Sequence, residues 1–206
     1  MPLITTQSAK GYGFGLQTAS SNPAMEWIAT ATGTGSSGTI SFTGIPSTYK
    51  HLQLVGLAQD TTGSSGTGDS GIAIRFNNDS GSNYSYHGGT GGLGAASTTS
   101  VISKVTTSAT YMDGWYTGAA WTNSGGYSGV VTSYYLVNIN DYASTSKFKT
   151  MDWQFGYEAN TTSTNAGVGY FTGNWKSTSA VNRVDFILSS TNFSTKSHFA
   201  LYGIKG

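Results

Sequence analysis

The chain has 206 residues, ten basic and nine acidic side chains, a formal net charge of +1 and no cysteine. Its charges fall singly, which excludes the clustered Lys/Arg footprint of a nucleic-acid binder, and the lack of cysteine excludes disulfides and thiolate metal sites. Charged residues reach only 9% while aromatics reach 13%, against about 25% charged in an ordinary chain, so hydroxyls, amides and glycine must solvate the surface and the aromatics argue for packing over disorder.

The opening MPLITTQSAK lacks the basic and apolar regions of a signal peptide. No apolar run approaches the length that spans a bilayer as a helix. Residues 1–22 read as a polar, glycine-bearing arm around Tyr12 and Phe14. Strands are then predicted at Met25 to Thr30, Thr39 to Phe42 and Tyr49 to Ala58. In the third of these, Leu52 and Leu54 share one face, and His51, Gln53, Val55 and Leu57 the other. Pro46 has no N–H and is expected outside the ladder.

Ile72, Ile74 and Phe76 alternate with Ala73 and Arg75, the mark of a half-buried strand. Asn77 to Asn83 is a turn by composition, followed by Tyr84 to His87. The glycine-rich stretch Gly88 to Ser100 reads as a long exposed loop. Weaker strand signals lie at Ser100 to Thr106 and Trp115 to Trp121, and a long strand is expected from Gly129 to Ile139. Met151, Trp153, Phe155 and Tyr157 alternate with Asp152, Gln154 and Gly156 in the clearest strand, over Phe148 to Tyr157. Val168 to Trp175, Val181 to Leu188 and Ser197 to Ile204 complete about ten strands.

No stretch keeps a 3.6-residue apolar period, and no βαβ spacing or 20–50-residue repeat occurs. The prediction is an all-β chain: a jelly-roll-like antiparallel β-sandwich over residues 23–206 with an N-terminal extended arm over 1–22. The apolar final strand is expected inside a sheet, paired on both edges.

Catalytic patterns are weak. His51, His87 and His198 lie in no metal-binding spacing, and nothing matches a G-x-S-x-G elbow between strand and helix. Asp152 and Glu158 lie six residues apart on one predicted strand, about 20 Å at ~3.3 Å per residue, too far for a glycosidase pair. Asp141, which could be paired with Asp113, falls in a turn where Asn and Asp serve the backbone. Asn77-Asn78-Asp79-Ser80-Gly81 carries one carboxylate and no EF-hand pattern, so a turn is preferred to a calcium loop. The N-x-Ser/Thr sequons at Asn78, Asn83, Asn160 and Asn192 are read as chance in a Ser/Thr-rich chain. The expectation is a non-enzyme with no cofactor and no metal.

Aromatics carry the remaining signal. Tyr84, Tyr86, Tyr111, Trp115, Tyr116, Trp121 and Tyr127 lie in or near Gly/Ser-rich stretches. Three uses stay open for them: contacts between subunits, stacking of carbohydrate, or caps on the open ends of the sandwich core.

Four segments carry a likeness to known proteins. They are Ile40 to Leu54 (ISFTGIPSTYKHLQL), Ile74 to His87 (IRFNNDSGSNYSYH), Ala180 to Phe186 (AVNRVDF) and Ala200 to Gly206 (ALYGIKG). Their order and wording resemble a family of tailed-bacteriophage virion proteins common in marine and cyanobacterial phages. Gln7 to Gly15 (QSAKGYGFG) is similar to the opening of many phage tail-associated proteins. The resemblance implies a structural or adhesive component of the tail, fibre or capsid decoration, located in the virion and assembled in the host bacterial cytoplasm. It implies a homo-oligomer, by analogy a homotrimer, partnered by other virion proteins, with the arm docking through Tyr12 and Phe14. Host attachment through glycans is the alternative, with a polysaccharide-degrading tail enzyme behind it.

Overall fold

Period-two alternation organises the computed structural model, which describes residues 23–61, 70–93, 99–119, 132–158, 166–188 and 190–206. The strands are β1 (Met25–Thr32), β2 (Thr39–Thr43), β3 (His51–Ala58), β4 (Ser70–Phe76), β5 (Tyr84–Leu93) and β6 (Thr99–Ala109). They continue with β7 (Met112–Ala119), β8 (Ser133–Asn140), β9 (Lys149–Glu158), β10 (Ala166–Trp175), β11 (Arg183–Leu188) and β12 (His198–Ile204). No helix occurs among the described residues, and every strand pairing is antiparallel.

An eight-stranded sheet has the order β1-β12-β3-β8-β9-β10-β5-β6, and a four-stranded sheet the order β2-β11-β4-β7. The quartet β1-β12-β3-β8 against β2-β11-β4-β7 is a jelly roll: the chain alternates between sheets from β1 to β4, from β7 to β8, and from β11 to β12. Two hairpins are inserted into that path. β5–β6 follows β4, β9–β10 follows β8, and β10 pairs with β5, so both widen the larger sheet. The jelly-roll expectation holds, with twelve strands among the described residues where about ten were predicted. β12 lies between β1 and β3, as its apolar sequence requires, and Pro46 stands outside the ladders between β2 and β3.

Aromatic rings fill the space between the sheets. Contacts run Phe193–Phe199–Tyr135–Phe155–Phe171–Trp153–Tyr86 without a break. Phe186 of β11 stacks on Phe199 of β12 at 4.8 Å, joining the two sheets. Rings this large need room, and glycine on the neighbouring strand provides it. Gly56 stands opposite Phe199, Gly169 opposite Phe155 and Gly88 opposite Phe171. A Cβ at Gly56 would lie 2.0 Å from the Phe199 ring, and one at Gly169 2.2 Å from that of Phe155.

Glycine-for-ring pairing corrects the reading of residues 88–100 as an exposed loop. Gly88 to Leu93 belong to β5, paired on one side with β10 and on the other with β6 from Thr99 onward. Gly88 is a packing residue, and a composition-based loop signal mistakes it for a breaker. The arm expected over 1–22 lies outside the described residues, as does 94–98.

Candidate functional site

The structure moves two of the predicted contact residues inward. Tyr84 and Tyr86 are buried, so neither is an interface or sugar-stacking residue; they pack on the core, the third use left open for them. Tyr84 alternates with Ser85, stacks on Trp175 at 6.3 Å and lies against Phe76. Its hydroxyl donates to the Phe76 carbonyl and accepts from the Phe76 N–H. Tyr86 packs on Trp153. Trp115 and Tyr116 lie within β7, one of the two edge strands of the smaller sheet, with side chains outside the description. Tyr12, Phe14, Trp121 and Tyr127 also fall outside the described residues.

Burial pushes the Tyr84 phenol up to about 12, and the Asp79 carboxylate nearby adds to that. A raised phenol stabilises the fold below the unfolded value near 10 and loses that contribution as pH rises toward the folded value. Urea unfolding is therefore expected to show about 2–3 kcal/mol lost between pH ~10 and ~12 on this account. Tyr84→Phe should be weaker at neutral pH yet lose less over the same range; an unchanged alkaline slope would refute the assignment.

The candidate catalytic and metal groups that the structure describes make contacts within the fold. Asp141 is held by Lys50 at 2.7 Å and Lys147 at 2.8 Å, and these lysines, Lys147 foremost, keep its carboxyl well below the usual range. Its backbone N–H donates to His51 Nδ1. Asp113 stands opposite Ala73 on the smaller sheet. Asn77 and Asn78 both take positive φ, and Asp79 N donates to Phe76 O, which is a type I′ turn. Burial opposes the charge on Asp79, but Trp175 Nε1 at 2.7 Å, Asn83 Nδ2 and the Gly81 N–H donate to it and hold its pKa below the usual value. The 77–81 segment is thus a cross-linked turn. Among the described residues no group of three or more His, Asp and Glu is placed to hold a metal.

What the fold leaves open is the outer face of the larger sheet. Register carries one row of outward positions across all eight strands: Trp27, Tyr202, Gln53, Asn138, Asp152, Thr172, His87 and Val105. Its centre is a hydrogen-bonded ladder. Gln53 Nε2 donates to Asn138 Oδ1 at 3.0 Å, and Asn138 Nδ2 donates to Asp152 Oδ2 at 2.9 Å. Asp152, considered above as half of a carboxylate pair, is the acceptor end of this ladder.

Two further rows lie beyond it along the strands. One carries Ala200, Val55, Leu136, Gln154 and Tyr170; the next carries His198, Leu57, Tyr134, Gly156 and Val168. On the opposite side of the ladder stand Thr150, Asn174 and Ser85. Along β8 and β10 polarity therefore changes in the strand direction, from amides and hydroxyls to aliphatic and aromatic side chains, while β9 between them carries Gln154 and Gly156, and Met25 and Ile204 stand at the polar end of β1 and β12. Trp27 and Val168 are each 64% exposed, Tyr170 55% and Tyr134 42%.

None of these exposed residues was singled out from the sequence. The signal was present in β3, where Val55 and Leu57 occupy the face opposite the core leucines, and in β8 and β10, where Leu136 and Tyr170 do the same.

No protein-family model matches the chain, and no curated protein matches it.

Proposed function

We propose that this chain is a non-enzymatic structural protein of a bacteriophage particle, a homo-oligomer that docks on other virion proteins through residues 1–22, with Tyr12 and Phe14 as anchors. The observation that carries the reading is the outer face of the larger sheet, a broad, weakly charged surface with exposed Trp27, Tyr134, Val168 and Tyr170. Exposed aromatic and aliphatic side chains on a weakly charged face suit contact with a protein surface. The jelly roll agrees, being an architecture of capsid and lectin domains, although a fold does not by itself assign a function. The sequence resemblance to tailed-phage virion proteins supplies the setting.

Deleting residues 1–22 is the test. The truncated chain is expected to keep the β-rich circular dichroism and unfolding midpoint of the full chain and to be absent from assembled particles. Normal incorporation would sink the docking role.

A second reading, a host-surface glycan adhesin, is favoured by one observation. Trp27 and Tyr202 continue the Gln53–Asn138–Asp152 ladder in the same row, which sets aromatic faces beside hydrogen-bonding amides as a sugar ring requires. It predicts glycan-array binding that Trp27→Ala and Asn138→Ala abolish. No binding by the full chain would leave the structural role alone.

A further inference from the structure

We infer that the row Trp27, Tyr202, Gln53, Asn138 and Asp152 binds a neutral, hydroxyl-rich oligosaccharide, laid across the strands with one sugar stacked on Trp27. The inference rests on the glycan reading above and names the sugar class and the positions that select it. The row runs from β1 through β12, β3 and β8 to β9. Five strands at a spacing of about 4.8 Å span roughly 19 Å, which is longer than a single sugar ring. No Lys or Arg stands in the row.

Hydrogen-bond direction sets the chemistry of the ligand. A carboxylate accepts and does not donate. Asn138 therefore gives Nδ2 to Asp152 and keeps Oδ1 for Gln53 Nε2. Gln53 spends its amide nitrogen on that bond, which leaves Oε1 as its acceptor. Among the described residues, nothing donates to Gln53 Oε1 or to Asp152 Oδ1. The second amide hydrogens of Gln53 and Asn138 remain as donors. A hydroxyl group serves both kinds of partner. Phosphate, sulfate and uronate groups bring no donor to the acceptors, and Asp152 repels their charge.

Aromatic rings continue the row where the amides end. Tyr202 stands opposite Gln53 on one side and Trp27 on the other. Trp27 is open to solvent, yet its indole is held, because Nε1 donates to Thr30 Oγ1 at 3.0 Å within its own strand. With that N–H satisfied, the indole has its π face to offer. A ring held before the ligand arrives lowers the ordering cost of binding. Sugars carry C–H groups on a ring face and hydroxyls around the rim, so they match an aromatic platform bordered by amides.

An array of neutral, uronate-bearing and sulfated oligosaccharides, probed with the full chain, tests this, followed by titration of the strongest ligand. That ligand is expected to be neutral. Its affinity should fall about ten-fold in Trp27→Ala, the scale of one lost stacking contact, and stay near wild type in Trp27→Phe. Tyr170→Ala, in another row of the same face, should bind as the wild type does. Asp152→Asn should keep the neutral ligand and let its uronate-bearing counterpart bind several-fold more tightly. A measurement on the unaltered chain works even if a variant fails to fold: the neutral ligand should slow oxidation of Trp27 by N-bromosuccinimide several-fold, read by peptide mass. An acidic oligosaccharide as the strongest ligand overturns the sugar class and leaves the glycan reading standing. A neutral ligand that neither protects Trp27 nor loses affinity in Trp27→Ala overturns the site, again leaving that reading. An array without signal overturns both.

Discussion

Trp153→Ala is expected to lower the stability of the chain by about 3–5 kcal/mol, the range for deleting a fully buried large aromatic. Trp153 is 1% exposed and lies at the middle of β9, directly opposite Phe171 on β10. Their rings stack at 5.2 Å with planes 13° apart, and Tyr86 of β5 is tilted against the Trp153 ring at 6.2 Å. One side chain thereby joins β9, β10 and β5, the strands that the inserted hairpins add to the jelly roll. Truncation removes its buried area and two ring contacts, and the neighbouring rings cannot collapse into the space without leaving their own partners. Total stabilities of domains are about 5–15 kcal/mol, so the variant would lose a large fraction of its margin. For a chain of this length the melting temperature should fall by roughly 6–20 °C. Urea unfolding followed by circular dichroism measures the loss. Trp153→Phe should recover part of it; a loss under ~1 kcal/mol for Trp153→Ala would mean that the hairpins fold without this ring.

The strands that could be read from sequence are those whose two faces differ. In β9, Met151, Trp153 and Phe155 are buried while Thr150 and Gln154 are exposed, so a period of two is written directly in the residues. β12 was legible for the same reason, with Phe199 and Leu201 inward. Strand order was not. That β10 pairs with β5 follows from contacts between segments some eighty residues apart in sequence, and no local pattern encodes them. The second half of β5 was illegible because glycine presents no side chain to alternate. Its meaning is held by Phe171 on another strand, which a local reading does not see.

The site shows a related limit. Composition left Tyr84 and Tyr86 open between interface, sugar-stacking and core-packing roles, because Gly/Ser-rich stretches surround them, yet they alternate with Ser85 and His87 and are buried. Period outweighed composition, because the pleat alone decides which face a side chain takes. The residues that do lie on the open face were overlooked for the converse reason. Val55, Leu136 and Tyr170 are apolar, which invites a core assignment, and only the register between four strands shows them sharing one row on the outside. The Gln53–Asn138–Asp152 ladder is a cross-strand object of the same kind.

The glycine pairing itself makes the sharpest contrast available in this fold. Gly88→Ala is expected to cost about 3 kcal/mol or more, at or above the upper end of overpacking penalties. A Cβ at that position would lie 2.3 Å from the Tyr170 carbonyl oxygen, 2.5 Å from Phe171 Cδ1 and 2.6 Å from Phe171 Cα. Two of those atoms are backbone in the partner strand, so a rotamer change cannot relieve the clash. Either the β5–β10 ladder opens or Phe171 leaves its stack on Trp153. Gly91 lies three residues further along the same strand, and a Cβ there meets nothing within 4 Å. Gly91→Ala should therefore be neutral or stabilising by up to about 1 kcal/mol, through the entropy it removes from the unfolded chain. Urea midpoints of the two variants, taken side by side, separate packing from propensity, since the chemical change and the strand are identical. Equal midpoints would show that glycine in β5 makes no room for Phe171, and the explanation of why a glycine-rich segment forms an interior strand of the larger sheet would fail with it.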